Sequence, residues 1–183
     1  MADNTYYISP DPITFGQIEN MLTPGTQLVL SPESVARIEK CRDYLDHKIE
    51  SQKEPIYGIT TGFGSLCNRT ISREDVSKLQ VNLVISHACG IGESVEPEIV
   101  RLMLMLKAYG LSFGNSGVQT DTVQRLLDLY NNNVLPEVRQ LGSLGASGDL
   151  APLAHLVLPL LGKGNVLFQD TLQPAAKVLD SLG

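Results

Sequence analysis

The run Gly142-Ser143-Leu144-Gly145-Ala146-Ser147-Gly148-Asp149-Leu150-Ala151-Pro152 decides the reading of this chain. The tripeptide at its centre, Ala146-Ser147-Gly148, can turn its own backbone into a reactive group. In a tight enough turn the amide nitrogen of Gly148 attacks the carbonyl carbon of Ala146. Loss of water closes a five-membered ring, and a second dehydration turns the Ser147 side chain into an exocyclic methylene. The product is an electrophile, which no ordinary side chain supplies. Gly148 has no Cβ and accepts backbone conformations that other residues resist. Ala146 is small enough to admit the nitrogen, and Ser147 carries the hydroxyl that leaves. Asp149 suits the N-cap of the apolar helix that follows, which would aim free N–H groups back at the loop.

Other chemistries fail on spacing. A nucleophile elbow, G-x-S-x-G, needs glycine where Asp149 stands. A dinucleotide fingerprint starting at Gly62 and Gly64 needs a third glycine where Cys67 stands. His47 and His155 have no metal-ligand spacing with each other or with the cysteines, and H-E-x-x-H is absent, so no metal site is expected. His155, on the helix after the tripeptide, reads as structural.

Two further blocks accompany the tripeptide: Tyr57-Gly58-Ile59-Thr60-Thr61-Gly62-Phe63-Gly64 and Asn82-Leu83-Val84-Ile85-Ser86-His87-Ala88-Cys89-Gly90. Together and in this order, the three blocks resemble the histidine and aromatic amino-acid ammonia-lyase family. The resemblance runs from about Pro10 to the last residue. It implies a methylidene-imidazolone (MIO) group formed from Ala146, Ser147 and Gly148, with elimination of ammonia from an α-amino acid. It also implies that Tyr57 is the base that takes the β-proton, that His87 contacts the substrate, and that Gly64 lies in the substrate-binding loop. A phenol is a weak base at neutral pH unless nearby donors or positive charge favour its phenolate.

The family's substrate preference follows the pair at Ser86-His87. Histidine lyases tend to carry Ser-His there, tyrosine lyases His-Leu and phenylalanine lyases Phe-Leu. The resemblance therefore implies conversion of L-histidine to trans-urocanate. A phenylalanine or tyrosine ammonia-lyase, or an aminomutase using the same electrophile, stays open. Thr60 departs from the pattern, since histidine lyases more often carry Asn there. Family members continue into a long helical bundle and assemble as homotetramers. On that comparison residues 1–183 are the N-terminal MIO-bearing domain of an ammonia-lyase (L-aspartase-like) fold. They end before the bundle, and an inert fragment or assembly module is a further reading of this polypeptide.

Bulk properties agree with a folded enzyme domain. The chain has 183 residues, 43% of them hydrophobic and 19% charged, enough for one sizeable core. Its formal charge of −6 and lack of any Lys/Arg cluster speak against a nucleic-acid partner. Cys41, Cys67 and Cys89, an odd set without C-x-x-C spacing, fit reduced thiols in the cytoplasm. No secretory signal opens the chain, and the apolar Leu150–Leu161 run is too short to cross a bilayer, so no membrane partner is expected.

The fold class expected is mainly α with a few short strands. Ile13–Leu30 is rich in turn residues and predicts short strands, Gln27–Leu30 the clearest. Ser31-Pro32 starts a helix with Ile38, Cys41, Leu45 and Ile49 on one face, ending near Gln52-Lys53-Glu54. Ser72 and Asp75 form a capping box for a helix towards His87. Pro97 begins another, apolar nearly all round from Ile99 to Leu111, which predicts deep burial. Val123, Leu126, Leu127 and Tyr130 mark a one-sided helix. Leu150–Leu161 reads as a buried helix, Val166–Leu172 as a hairpin turning at Gln169-Asp170, and Gln173–Leu182 as a last helix.

Overall fold

The computed structural model describes residues 4–51, 54–61, 71, 73–143, 148 and 150–183. Its core is the packing of α4 (Pro97–Ser112) on α5 (Thr120–Asn131). Val123, Leu126, Leu127 and Tyr130 are all buried, as their spacing predicts, against Leu104, Met105 and Ala108 of α4. The expectation that α4 is buried all round is corrected: Ile99 and Leu106 are 50% and 41% exposed. Uniform apolar composition does not reveal which face a helix turns inward.

The N-terminal unit is a small β–α–β. Strands β1 (Thr5–Ile8) and β2 (Gln27–Leu30) pair in parallel, and α1 (Phe15–Leu22) makes the crossover. This helix corrects the strand-and-turn expectation for Ile13–Leu30. It starts on a reciprocal cap, in which Gln17 N donates to Thr14 Oγ1 and Thr14 N donates to Gln17 Oε1. The unit is fastened to α5 by side chains. Leu28 N donates to Asn131 Oδ1 at 2.8 Å, and Asn131 Nδ2 donates to Leu28 O at 2.9 Å. The Tyr130 hydroxyl donates to the Met21 carbonyl.

Helix α2 (Pro32–Ser51) begins as expected, with Ser34 N donating to Ser31 Oγ. Of its predicted inward face, Ile38 is buried and Cys41, Leu45 and Ile49 are half-buried. α3 (Arg73–His87) ends at the expected residue, while Ser72 lies outside the described residues. β3 (Ile91–Ser94) follows it, and β4 (Leu135–Pro136) and β5 (Arg139–Leu141) follow α5.

α6 (Leu150–Val157) gives way to a 3₁₀ turn over Leu158–Leu161, where Pro159 has no N–H to continue the α-helical ladder. The predicted hairpin is β6 (Asn165–Phe168) with β7 (Thr171–Pro174). Gln169 and Asp170 turn it with φ of +51° and +57°. Gln173 pairs with Val166 in that sheet, so the last helix, α7, begins later than expected, at Ala175, and ends at Leu182. Helices predominate and every strand is short, as the sequence predicts. Among the described residues no helix is long and apolar enough to cross a membrane.

Candidate active site

α3 carries His87 in its last turn, and Ala88–Gly90 lead into β3. β3 pairs antiparallel with β5, Ile91 opposite Leu141 and Ser94 opposite Arg139. β5 runs directly into Gly142. The sheet therefore sets the end of α3 beside the entry to the tripeptide loop, and α6, which leaves that loop, packs back on α3.

The backbones here approach closely. Gly142 has φ +133°, and a Cβ on it would stand 2.8 Å from Gly90 Cα. A Cβ on Gly90 would stand 2.8 Å from both His155 Nε2 and Arg139 Cβ. Gly90 N donates to His155 Nε2 at 2.9 Å, so His155 is structural in the sense the sequence predicts. Burial, and next the Arg139 guanidinium, hold this imidazole below the usual histidine range, against a smaller upward pull from Glu137. It is thereby kept as the neutral acceptor that the Gly90 N–H requires. Ala151 N donates to Ser143 Oγ at 3.3 Å and joins the two stems of the loop.

Between α3, α4 and α6 lies an open cleft of about 520 Å³. Leu83, Val84 and His87 come from α3, Lys107 from α4, and Leu150, Leu153, Ala154 and Val157 from α6. Tyr57 closes one side from a tight turn. In that turn Thr60 N donates to Ile56 O, Ile56 N donates to Thr60 Oγ1, and Gly58 N donates to the buried Thr61 Oγ1. Thr60, the departure from the family pattern, thus spends its hydroxyl on the turn itself. Tyr57 is 62% exposed at the cleft mouth.

His87 has a defined tautomer. Its Nδ1 lies 2.8 Å from the Leu83 carbonyl and 3.2 Å from Ser86 Oγ. A carbonyl only accepts, so Nδ1 is the nitrogen that donates here. The cleft is thus apolar along α3 and α6, with one imidazole, one tyrosine hydroxyl and one lysine amine among its described lining residues.

Tyr57 and His87 line the same cleft. Gly148 has φ +72°, a left-handed backbone that glycine adopts without strain. Ala146, Ser147 and Gly64 lie outside the described residues, as do Phe63, Cys67 and Asp149. Cys41 and Cys89 are free thiols. No three metal-ligating side chains gather among the described residues. Lys107 was not anticipated, although it is the one charged residue from Leu102 to Leu111.

A family model described as aromatic amino acid lyase matches residues 13–183. The chain belongs to the aromatic amino acid lyase family. Within that family it is 46% identical over 167 residues to histidine ammonia-lyase from Deinococcus radiodurans, an overlap of 91% of this chain and 32% of that protein. Among solved structures it resembles histidine ammonia-lyase from Trypanosoma cruzi, with TM-score 0.86 and 32% identity over 98% of this chain and 33% of that one. Tyrosine aminomutase from Streptomyces globisporus matches with TM-score 0.86 and 28% identity, covering 97% of this chain and 33% of that one. The chain spans about a third of the length of the aromatic amino acid lyases it matches.

Proposed function

We propose that this protein serves as an ammonia-lyase that converts L-histidine to trans-urocanate and ammonia, using an MIO group made from Ala146, Ser147 and Gly148. One observation carries the reading. Tyr57 and His87, distant in sequence, line a single cleft whose opposite wall starts at Leu150, two residues beyond Gly148. Likeness to histidine ammonia-lyases and the Ser86-His87 pair favour histidine as substrate.

The described residues around the tripeptide suit the ring. Gly148 already has positive φ, and among the described residues no atom lies within 4 Å of where its Cβ would stand. The Ser143–Ala151 hydrogen bond closes the loop at its base. Once formed, the ring supplies an electron-poor methylene that can take up an amine. The remaining work falls to side chains. The lone pair of His87 Nε2 accepts the N–H of a substrate imidazole, and Leu83, Val84 and Leu153 flank its ring. The Lys107 ammonium attracts the carboxylate. The Tyr57 oxygen receives the β-proton as the C–N bond breaks, the C=C bond forms and ammonia departs.

The intact gene product incubated with L-histidine should develop the absorbance of urocanate, and its tripeptide should weigh two waters less than encoded. An unmodified mass would remove the electrophile from the account and favour the inert-module reading. Activity on phenylalanine or tyrosine alone would transfer the assignment to an aromatic lyase. Likeness to tyrosine aminomutase supports a second reading, in which the amine returns to the β-carbon. A β-amino acid product would establish it.

A further inference from the structure

We propose that His155 is a positioning residue: it clamps the stems on either side of Ala146-Ser147-Gly148 against the end of α3, and the tripeptide's cyclisation depends on that clamp. The inference rests on the reading of that tripeptide as a ring precursor.

Gly90 is the centre of the clamp. On one side the imidazole of His155 lies flush on its backbone and accepts its N–H at 2.9 Å. On the other side Gly142 is so close that a Cβ would meet Gly90 Cα at 2.8 Å and Gly90 N at 3.3 Å. Gly142 belongs to the stem entering the loop, and His155 to the second turn of the helix leaving it. Both stems are thus pressed on one residue, three positions after His87. The Ala151–Ser143 hydrogen bond ties the same stems together nearer the tripeptide. Of these contacts, the His155 bond alone joins the exit helix to the chain following α3.

Filling space would not require an imidazole here. A leucine would cover the Gly90 backbone, but it would leave the Gly90 N–H without its acceptor. The charged groups acting on the ring are Arg139 and Glu137, themselves ion-paired at 2.6 Å.

Cyclisation profits from such a clamp because its two dehydrations need only proton transfers within a held geometry. The Gly148 N–C(Ala146) bond forms as Gly148 N gives up its hydrogen, the Ala146 carbonyl oxygen departs as water with that hydrogen and the one on Ser147 N, and a C=N bond closes between Ser147 N and the Ala146 carbon. Ser147 then loses its Cα hydrogen and its hydroxyl as a second water, leaving the exocyclic C=C bond. No electron acceptor or donor takes part. What remains is to hold an amide nitrogen on a carbonyl carbon two residues back, and a loop with loose stems relaxes away from that approach.

The test uses the intact gene product in three forms: wild type, His155→Gln and His155→Leu. Mass spectrometry of the peptide spanning Gly142–Pro152 follows the loss of two waters with time after synthesis, and circular dichroism reports the fold. Glutamine places an amide oxygen near the position of Nε2, so H155Q should cyclise at close to the wild-type rate. H155L should cyclise about 100-fold more slowly, the scale set by a misplacement of ~1 Å. A folded H155L that cyclises like wild type overturns the proposal. So does an H155Q that fails to cyclise, whether folded or not, since it keeps the acceptor; should H155L not fold, H155Q alone decides. If the wild type itself retains both waters, it is the ring reading under Proposed function that falls.

Discussion

Gly142→Ala measures how little room the loop stems leave. The new Cβ would stand 2.8 Å from Gly90 Cα and 3.4 Å from the Cys89 carbonyl oxygen, and these backbone atoms have no rotamer to change. Overpacking of this kind costs about 1–3 kcal/mol. A non-glycine residue at φ +133° adds strain of about 1–3 kcal/mol. The sum, about 2–6 kcal/mol, is a large share of a typical stability of ~5–15 kcal/mol. At roughly 2–4 °C per kcal/mol for a domain of this size, Tm should fall by about 4–24 °C. Two other glycines calibrate the result. Gly162 has positive φ but, among the described residues, nothing within 4 Å of a Cβ, so Gly162→Ala should cost strain alone, about 1–2 kcal/mol. Gly16 lies in α1 with no described atom within 4 Å of a Cβ and no positive φ, so Gly16→Ala should stabilise by about 0.5–1 kcal/mol. Urea denaturation of the intact gene product, followed by far-UV circular dichroism, should rank stability as G16A, wild type, G162A, G142A. A G142A protein as stable as G162A would refute the account of the stems.

Tyr57→Phe removes the proposed proton acceptor and should lower kcat about 10²–10⁴-fold; unaltered turnover would remove Tyr57 from the base role. Lys107→Met should raise KM for the amino acid about 10–100-fold, the worth of one charge-assisted contact, and an unchanged KM would show that the carboxylate binds elsewhere. His155 makes stability depend on pH. Its folded-state value is depressed, so its contribution is complete above the unfolded value near 6.5 and is lost as pH falls through that value towards the folded one. Denaturation midpoints between about pH 7.5 and 5 should therefore fall more steeply for wild type than for His155→Gln; parallel slopes would contradict this.

Features written into adjacent residues were legible. Ser31-Pro32, the Val123–Tyr130 face and the Gln169-Asp170 turn depend on local bonding or helical periodicity, and each appears where its pattern lies. Helix α1 was hidden by the glycine and turn residues around it, although Thr14 and Gln17 have capping-box spacing. β3 carried no signal, because all of Ile91–Ser94 is exposed and its partner strand begins 45 residues after Ser94. The same holds for the site. Nothing local to Tyr57 or His87 says that they share a cleft, and that expectation came through the family resemblance alone. Lys107 was passed over because its surroundings read as core, and the Gly90–His155 bond spans 65 residues.

The β1–β2 ribbon has a consequence for synthesis. A pair of strands offers an unpaired edge on each side, and such edges recruit foreign strands. Here the amide of Asn131 stands in for a third strand at Leu28, but it follows Leu28 by 103 residues. At ~5–20 residues per second, the ribosome delivers it about 5–20 s later. For that interval the nascent ribbon is uncovered, and a chain stalled before Asn131 would keep an adhesive edge that the finished protein conceals.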